Sequence, residues 1–452
     1  MEQTEPNRVT GVINWVAIII IALLPFHEFL TTWLGENYGH LTVFRIWKEI
    51  LILTCSIFIF YLISKNTVLK RWVRSDTLIL LIWVYVALTL LLGLWAYNND
   101  HVNLNALGDG LIINLRYFAF FGVTAVLAYY SGFLKSHWRE AIIIPGIFVL
   151  IFGIAQLFLQ PNFLSHFGYG AKTIPAYSTV NANNSIVRIQ STLRGPDPLG
   201  AYLVILIPAI LIGIKKKYLK TLLIVLSLIV LYFTYSRSGA VGLAVALVIL
   251  AYLQWVKPNW RKTYLLTLLG LAILGILGVL LLRNNTSVQN VLFHTQNGST
   301  NQSSNAVRVK AWKGGVEDII HHPLGGGTGT AGPASVHNNH PARIAENYYL
   351  QIGQETGVIG LGLFIVINII VAVRLYKRRD DPFSAMLLAS FIGICVINLT
   401  AHAWADDALS LIWWGLAGIA LTPAIIKGSN PKQKVNAKTR NPHLKKVTSA
   451  RS

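Results

Sequence analysis

Most of the side chains that could do chemistry lie in one polar stretch, residues 283–355, between two long apolar runs. It contains five histidines: His294, His321, His322, His337 and His340. His337 and His340 have an H-x-x-H spacing, but no acid or cysteine stands at a fixed spacing beside them, so we expect no metal site.

The glycine run GGGTGTAG lacks the following Lys-Ser/Thr of a nucleotide P-loop. We expect a flexible turn there that lets the backbone approach a ligand.

Arginines within the polar stretch and in an earlier loop are candidates for phosphate binding, because a guanidinium stays charged and binds oxyanions bidentately. Arg188 and Arg194 lie in RIQSTLRGPDPLGAYL, directly before an apolar span. The alternative is a flexible loop with stray charges. Arg308 lies in NAVRVKAWKGGVEDIIHHP, which is predicted to be a helix that ends before Pro323.

Two further arginines lie at or within apolar spans. Arg237, in TYSRSGA, directly precedes a predicted helix that Ser236 or Ser238 can cap. A cation is unfavourable at a helix N-terminus, so Arg237 is expected to have an anionic partner. Arg116, in LIINLRYFAFF, falls about two turns into a span, where a charge is costly. It either snorkels or pairs with Asp109, or it lines a cavity.

The elements that carry these residues are membrane-spanning helices. The chain has 452 residues, of which 54% are hydrophobic and only 12% are charged, about half the charged fraction of a soluble protein. Its apolar runs are long enough for helices to cross a hydrocarbon core of about 30 Å, and alternating barrel strands are absent. We therefore predict an all-α polytopic membrane protein with about twelve spans. The spans are 11–33, 43–64, 75–96, 108–130, 141–159, 197–214, 218–235, 239–256, 263–282, 356–374, 384–401 and 409–426.

The net charge of +20 does not indicate nucleic acid, because the charge sorts by membrane side. With the N-terminus inside and the spans alternating, nearly all of the excess falls on inner loops and on a basic tail, residues 427–452. Both termini are then cytoplasmic, and the polar stretch is extracytoplasmic. The first span is expected to be retained. Cys55 and Cys395 lie within spans and imply neither a disulfide framework nor a metal site.

Several motifs occur in order: RIQSTLRGPDPLGAYL, SRSGA between two short spans, VRVKAW, HHPLGGGTGT and AENYYLQIGQETGVIGL. Together they resemble the O-antigen ligase and O-antigen polymerase superfamily of bacterial membrane glycosyltransferases. The resemblance is good over residues 185–375. It divides the chain into N-terminal helices (1–184), a catalytic region (185–426) whose outer loop is 283–355, and the tail.

The resemblance implies a GT-C-like fold and metal-independent glycan transfer from a polyprenyl-diphosphate carrier to an acceptor hydroxyl, on the outer face of the cytoplasmic membrane. It implies no cofactor. Arg237 and Arg308 match the family's diphosphate-binding pair, and Arg188, Arg194, Arg116 and Asn347 are further candidates for substrate binding. Preorganised arginines can stabilise a leaving diphosphate without a metal ion. The expected partners are the lipid-linked glycan, an acceptor glycan or lipid, and membrane lipids.

The family's ligases usually carry His-Asn where this chain has Glu346-Asn347. Glu-Asn is more similar to the polymerase branch, so polymerisation of repeat units is favoured over ligation to a lipid or protein. Glu346 is the predicted general base, provided that burial raises its pKa. Asp406 and Asp407, with His402, are the fallback candidates.

Two other classes of protein remain as alternatives. A transporter or flippase of lipid-linked glycans would also have about twelve spans, but such proteins tend to show inverted repeats and charges near the bilayer midplane. This chain shows no internal repeat, and its charges lie at one face. A membrane sensor would more plausibly carry a cytoplasmic output domain. An enzyme is favoured over both.

Overall fold

A computed structural model describes residues 8–180, 183–282 and 304–423. His294, the first part of the polar stretch and the predicted basic tail lie outside these ranges. The first helices are α1 (Arg8–Leu23), α2 (His27–Tyr38), α3 (Leu41–Arg45), α4 (Trp47–Lys65), α5 (Thr67–Ser75), α6 (Thr77–Asn98), α7 (Leu104–Tyr130) and α8 (Phe133–Ala155). The later helices are α9 (Pro196–Gly213), α10 (Lys217–Thr234), α11 (Arg237–Gln254), α12 (Arg261–Leu282), α13 (Ser304–His321), α14 (Tyr348–Lys377), α15 (Pro382–Ile397) and α16 (Asp407–Leu421).

The remaining regular structure is short. Strands β1 (Ser178–Val180) and β2 (Asn183–Arg188) form an antiparallel pair in which Ser178 lies opposite Arg188. Short 3₁₀ helices connect several of the α-helices. They are Leu24–Phe26, Phe163–Phe167, Pro258–Trp260, Pro333–His337 and Ala403–Ala405.

Within the described ranges, nine helical segments are long and apolar enough to cross a membrane, and α15 and α16 are shorter apolar helices. The first segment combines α1 and α2, which are joined by a 3₁₀ turn at Pro25. Within the described residues, every predicted span overlaps a helix of the structure. The prediction of an all-α polytopic membrane protein is confirmed.

The interior of the bundle is built from helices that are apolar on all sides. Most residues of α9 and nearly all residues of α16 are buried, and Trp413 and Trp414 of α16 are fully buried together with Trp404. In contrast, α4 and α6 expose apolar side chains such as Leu53 and Leu91. A helix that is hydrophobic all round occupies a protein interior, whereas exposed apolar faces are suited to lipid.

Glycines bring the starts of α9 and α11 into direct contact. A Cβ atom added to Gly239 would lie 2.9 Å from the Cα atom of Gly200. Small residues at such crossings let two helix backbones approach closely. The approach places the first residues of α11, beginning with Arg237, beside the first turn of α9.

The glycine run is packed between helices. Gly325, Gly327 and Gly329 all have a left-handed φ, of +90°, +96° and +92°. A Cβ on Gly327 would lie 2.2 Å from that of Ala96 in α6. The Glu355 side chain in α14 accepts a hydrogen bond from the Gly329 N–H at 2.9 Å. The expectation of a flexible turn beside a ligand is therefore wrong, because the run is a buried joint between helices.

Candidate active site

A cavity of about 800 Å³ collects residues from five separate parts of the chain. The residues that line this cavity include four charged residues that the sequence analysis singled out: Arg188, Arg237, Arg308 and Glu346. The other lining residues are Thr179, Val180, Asp197, Tyr235, Ser238, Val241, Val396, Leu399, Thr400, Ala401 and His402. We call it the arginine cavity.

Arg237 is the first residue of α11. The preceding Ser236 caps the helix, and its Oγ accepts a hydrogen bond from the Gly239 N–H at 3.3 Å. Tyr235 ends α10 with a left-handed φ of 51°. This tight turn places the Arg237 side chain at the wall of the cavity, next to the N-terminus of a helix, where backbone N–H groups also favour an anion.

Arg188, at the end of β2, is fixed by two contacts. Its Nη2 donates to Asp197 Oδ1 at 2.8 Å, and its Nε donates to the Thr234 carbonyl at 2.8 Å. The first contact reaches α9 and the second reaches the end of α10. Arg188 therefore holds the strand pair against these helices and leaves part of its guanidinium at the cavity wall.

Arg308 lies on α13, which ends before Pro323 as predicted. Its guanidinium forms an ion pair with the Glu346 carboxylate, and its Nε donates to Oε2 at 2.7 Å. Glu346 has a left-handed φ of 48°, which non-glycine residues rarely adopt. Its side chain is 52% exposed, so Glu346 is not the buried carboxylate that the sequence led us to expect.

Asn347 supports the helix that follows. Its Oδ1 accepts hydrogen bonds from the N–H groups of Tyr349 and Leu350, at 3.0 and 3.1 Å, and thereby caps α14. Its Nδ2 donates to the Leu399 carbonyl at 3.0 Å. Asn347 is absent from the lining of the cavity, and every polar atom of its side chain already has a partner on the protein.

Arg116 and Arg194 line a second cavity, of about 400 Å³. Arg116 does not pair with Asp109. Its Nη2 lies 2.5 Å from Asp407 Oδ1, and its Nη1 lies 3.5 Å from Glu49 Oε1. Asp109 instead faces His337, whose Nε2 lies 3.3 Å from Asp109 Oδ2. The structure therefore separates these two arginines from the cavity that holds Arg188, Arg237 and Arg308.

A lysine stands at the centre of the ion cluster beside Arg116. Lys48 Nζ lies 2.6 Å from Asp407 Oδ2 and 2.9 Å from His27 Nε2. His27, Glu28 and Asp407 have atoms close enough to form a metal site, but the ammonium of Lys48 already contacts two of the three groups. Our sequence reasoning missed this cluster. The adjacent charges of Lys48 and Glu49 inside the span 43–64 were the available signal, since such charges need internal partners.

His402 lines both cavities. Burial lowers the pKa of its imidazole to about 4, so the ring is neutral at pH 7. Its Nε2 is buried and has no hydrogen-bond partner among the described residues. Burial and the neighbouring Asp407 carboxylate raise the pKa of Asp406 to about 6. Of the fallback candidates, His402 lies where the cavities meet, whereas Asp406 and Asp407 line only the second cavity.

The model of the O-antigen ligase family matches residues 222–365. The matched segment contains Arg237, Arg308 and Glu346. Comparison with curated proteins found no match. The match confirms the resemblance to the O-antigen ligase and polymerase superfamily. Together with the apolar helices, it supports a membrane enzyme of the O-antigen ligase and polymerase type.

Proposed function

We propose that the protein is a membrane glycosyltransferase that polymerises glycan repeat units from a polyprenyl-diphosphate carrier. The observation that carries this proposal is the convergence of Arg188, Arg237 and Arg308 on one cavity with Glu346. Apolar helices separate Arg188, Arg237 and Arg308 from one another along the chain, and the folded bundle brings them together. The segment that matches the O-antigen ligase family contains three of the four.

The charge of the arginine cavity suits a diphosphate. Its three arginines outnumber the two carboxylates, Asp197 and Glu346. Guanidinium groups bind phosphate oxygens through paired N–H donors, and the N-terminus of α11 adds backbone N–H groups. Fixed cations of this kind stabilise negative charge that develops on a leaving diphosphate. The proposed reaction needs no metal ion for this step.

In the proposed reaction, an acceptor hydroxyl oxygen attacks the anomeric carbon of the donor sugar. A new C–O bond forms while the bond between that carbon and the diphosphate oxygen breaks. The leaving group departs as polyprenyl diphosphate, and Arg237 and Arg308 stabilise its negative charge. The hydroxyl proton passes to a base, and Glu346 is the proposed base.

The ion pair with Arg308 gives Glu346 a way to become available. A diphosphate that binds Arg308 replaces the Glu346 carboxylate as its partner. An exposed ion pair contributes only about 0–1 kcal/mol, so this exchange costs little. Donor binding would then release the carboxylate beside the reacting carbon, where it can accept the hydroxyl proton.

The positive-inside distribution supports a site on the outer face of the cytoplasmic membrane, with both termini in the cytoplasm. We propose that residues 185–426 form the catalytic region, which includes the outer loop 283–355, and that residues 1–184 support it. A flippase is the candidate from another class. Three arginines line one cavity near helix ends. This arrangement favours the enzyme, because transporters tend to place their charged binding residues near the bilayer midplane.

Deletion of the gene followed by glycan profiling tests the proposal. A polymerase deletion leaves single repeat units on the acceptor. A ligase deletion leaves full-length polymer that is unattached, which would support the second candidate, attachment of finished glycan to a lipid or protein. A surface glycan of unchanged length and attachment in the deletion strain would contradict both. Complementation with Arg308→Ala should reproduce the deletion profile.

A further inference from the structure

The second cavity has a chemical character different from that of the arginine cavity. Its charged lining is almost balanced, with four basic and five acidic side chains. The basic residues are Arg45, Lys48, Arg116 and Arg194. The acidic residues are Glu28, Glu49, Asp109, Asp406 and Asp407. Five carboxylates disfavour the binding of a phosphate. A neutral ligand with many hydroxyl groups can donate hydrogen bonds to the acidic side chains and accept hydrogen bonds from the basic ones.

Several buried polar atoms at this cavity have no hydrogen-bond partner among the described residues. They are the Nε atoms of Arg45 and Arg116, Glu49 Oε2 and His402 Nε2. Buried polar atoms are rarely left unpaired, because each lost hydrogen bond is costly. Arg116 is nine-tenths buried, with a side chain only 7% exposed. Donors and acceptors are both present in the set, which is the pattern that a sugar hydroxyl satisfies.

The two cavities meet at one side chain. His402 is the residue common to both linings, and it lies in the segment between α15 and α16. A hydroxyl group held at this point would be within reach of a sugar whose diphosphate lies among Arg188, Arg237 and Arg308. A transferase needs such a junction, since the acceptor oxygen must approach the donor carbon to about 3–3.5 Å.

We propose that the second cavity is the subsite for the acceptor sugar, and that His402 at its junction with the arginine cavity orients the acceptor hydroxyl. The inference rests on the proposed glycosyl transfer and adds to it a place for the second substrate. His402 acts here as a positioning residue: its neutral imidazole accepts or donates one hydrogen bond, while the proton released in the reaction goes to Glu346. The ion cluster of Lys48, Arg116 and Asp407 forms the rigid floor of the subsite.

The experiment blocks the second cavity while leaving the arginine cavity intact. Val336 lines the second cavity and is 53% exposed, so Val336→Trp places an indole across its mouth. The control is Val358→Trp, because Val358 is 52% exposed and lines neither cavity. Full-length purified protein is assayed for binding of polyprenyl diphosphate alone. Glycan transfer is assayed with membrane vesicles of the deletion strain, which supply the native donor and acceptor.

We expect Val336→Trp to bind polyprenyl diphosphate within about two-fold of wild type and to lose glycan transfer by tenfold or more. Val358→Trp should retain both. Arg45→Leu removes one unpartnered donor without adding bulk, and it should lower glycan transfer several-fold while leaving diphosphate binding unchanged. It serves as the second variant should Val336→Trp not fold.

Two results would overturn the acceptor subsite. One is wild-type transfer by both a folded Val336→Trp protein and Arg45→Leu. The other is loss of polyprenyl diphosphate binding in Val336→Trp, which would assign the second cavity to the donor. Failure of the proposed function has a separate signature, because Arg308→Ala would then retain diphosphate binding and transfer.

Discussion

Both hydrogen bonds from the Arg308 guanidinium to Glu346 end on the same carboxylate oxygen. Nε donates to Oε2 at 2.7 Å, and Nη2 donates to the same atom. The pair joins α13 to the residue before α14, across the mouth of the arginine cavity. In the proposed reaction, the two residues of this ion pair act in succession, and the exchange of Glu346 for a diphosphate on Arg308 would link substrate binding to release of the base.

Replacement of Arg237 or Arg308 by Ala should reduce the rate of glycan transfer by a factor of about 10²–10³, because each substitution removes a fixed cation that stabilises the leaving group. Lysine should restore only a minor part, since an ammonium lacks the bidentate fork. Transfer is measured in vesicles, and protein amount is measured by immunoblot. The control is Arg343→Ala, which removes a half-exposed guanidinium from the same loop. Wild-type turnover in Arg308→Ala would refute its role.

Glu346→Gln should separate binding from catalysis. We expect transfer to fall by about 10²–10⁴, the usual contribution of a general base. Affinity for polyprenyl diphosphate should rise, because Arg308 no longer has a competing carboxylate. Binding and transfer are measured on the same preparation. Full transfer activity in Glu346→Gln would exclude Glu346 as the base, and unchanged affinity would argue against competition for Arg308.

His402 and Asp406 should affect stability with opposite signs as the pH falls from 7 to 5. The pKa of His402 is lowered from 6.5 to about 4. The unfolded chain therefore takes up a proton before the native protein does, and the free energy of unfolding decreases. The pKa of Asp406 is raised from 3.8 to about 6. Here the native protein is protonated first, so acidification stabilises the fold.

Thermal unfolding of the detergent-purified protein at pH 7 and pH 5 measures both effects. On acidification, the Tm of the His402→Gln variant should fall less than that of the wild type. The Tm of the Asp406→Asn variant should fall more than that of the wild type. The control is His340→Gln, whose side chain is exposed on the surface and whose loss should leave the pH dependence nearly unchanged. A change of equal sign in the His402 and Asp406 variants would contradict the assigned shifts.

Gly239→Ala should reduce transfer by moving Arg237. The added Cβ would meet the Gly200 backbone at 2.9 Å, which forces α11 away from α9. Gly270→Ala on α12 is the matched control, since a Cβ there meets nothing within 4 Å; it should be neutral or stabilising by about 0.5–1 kcal/mol. Equal activity in the two variants would show that the spacing of α9 and α11 does not set the position of Arg237.

Local sequence patterns were sufficient for the helices and for part of the site. Apolar runs identify spans because each residue in lipid must be compatible with hydrocarbon. Arg237 was recognisable because a cation is unfavourable at a helix N-terminus, and Arg308 because its helix matches a motif of the family it resembles. The presence of Ser236 before Arg237 predicted the cap that the structure shows.

The partners of these residues could not be predicted, because they come from distant segments. Arg116 pairs with Asp407 across almost 300 positions, and nothing near either residue specifies the other. Asn347 resembled a ligand residue because it follows Glu346, yet its amide is used as a helix cap. The glycine run resembled a ligand loop because its composition reveals permitted φ values and not the helices that surround it.

The contacts of Glu355 have a consequence for protein engineering. Its carboxylate joins the glycine run to Asn114 of α7, where Asn114 Nδ2 donates at 2.7 Å. The described part of the outer loop, residues 304–355, is therefore anchored in the bundle and is not a separable cassette. A chimera that exchanges only residues 283–355 between related enzymes would bring a foreign loop against α6 and α7. Substrate preference can be transplanted only together with the helices that hold the loop.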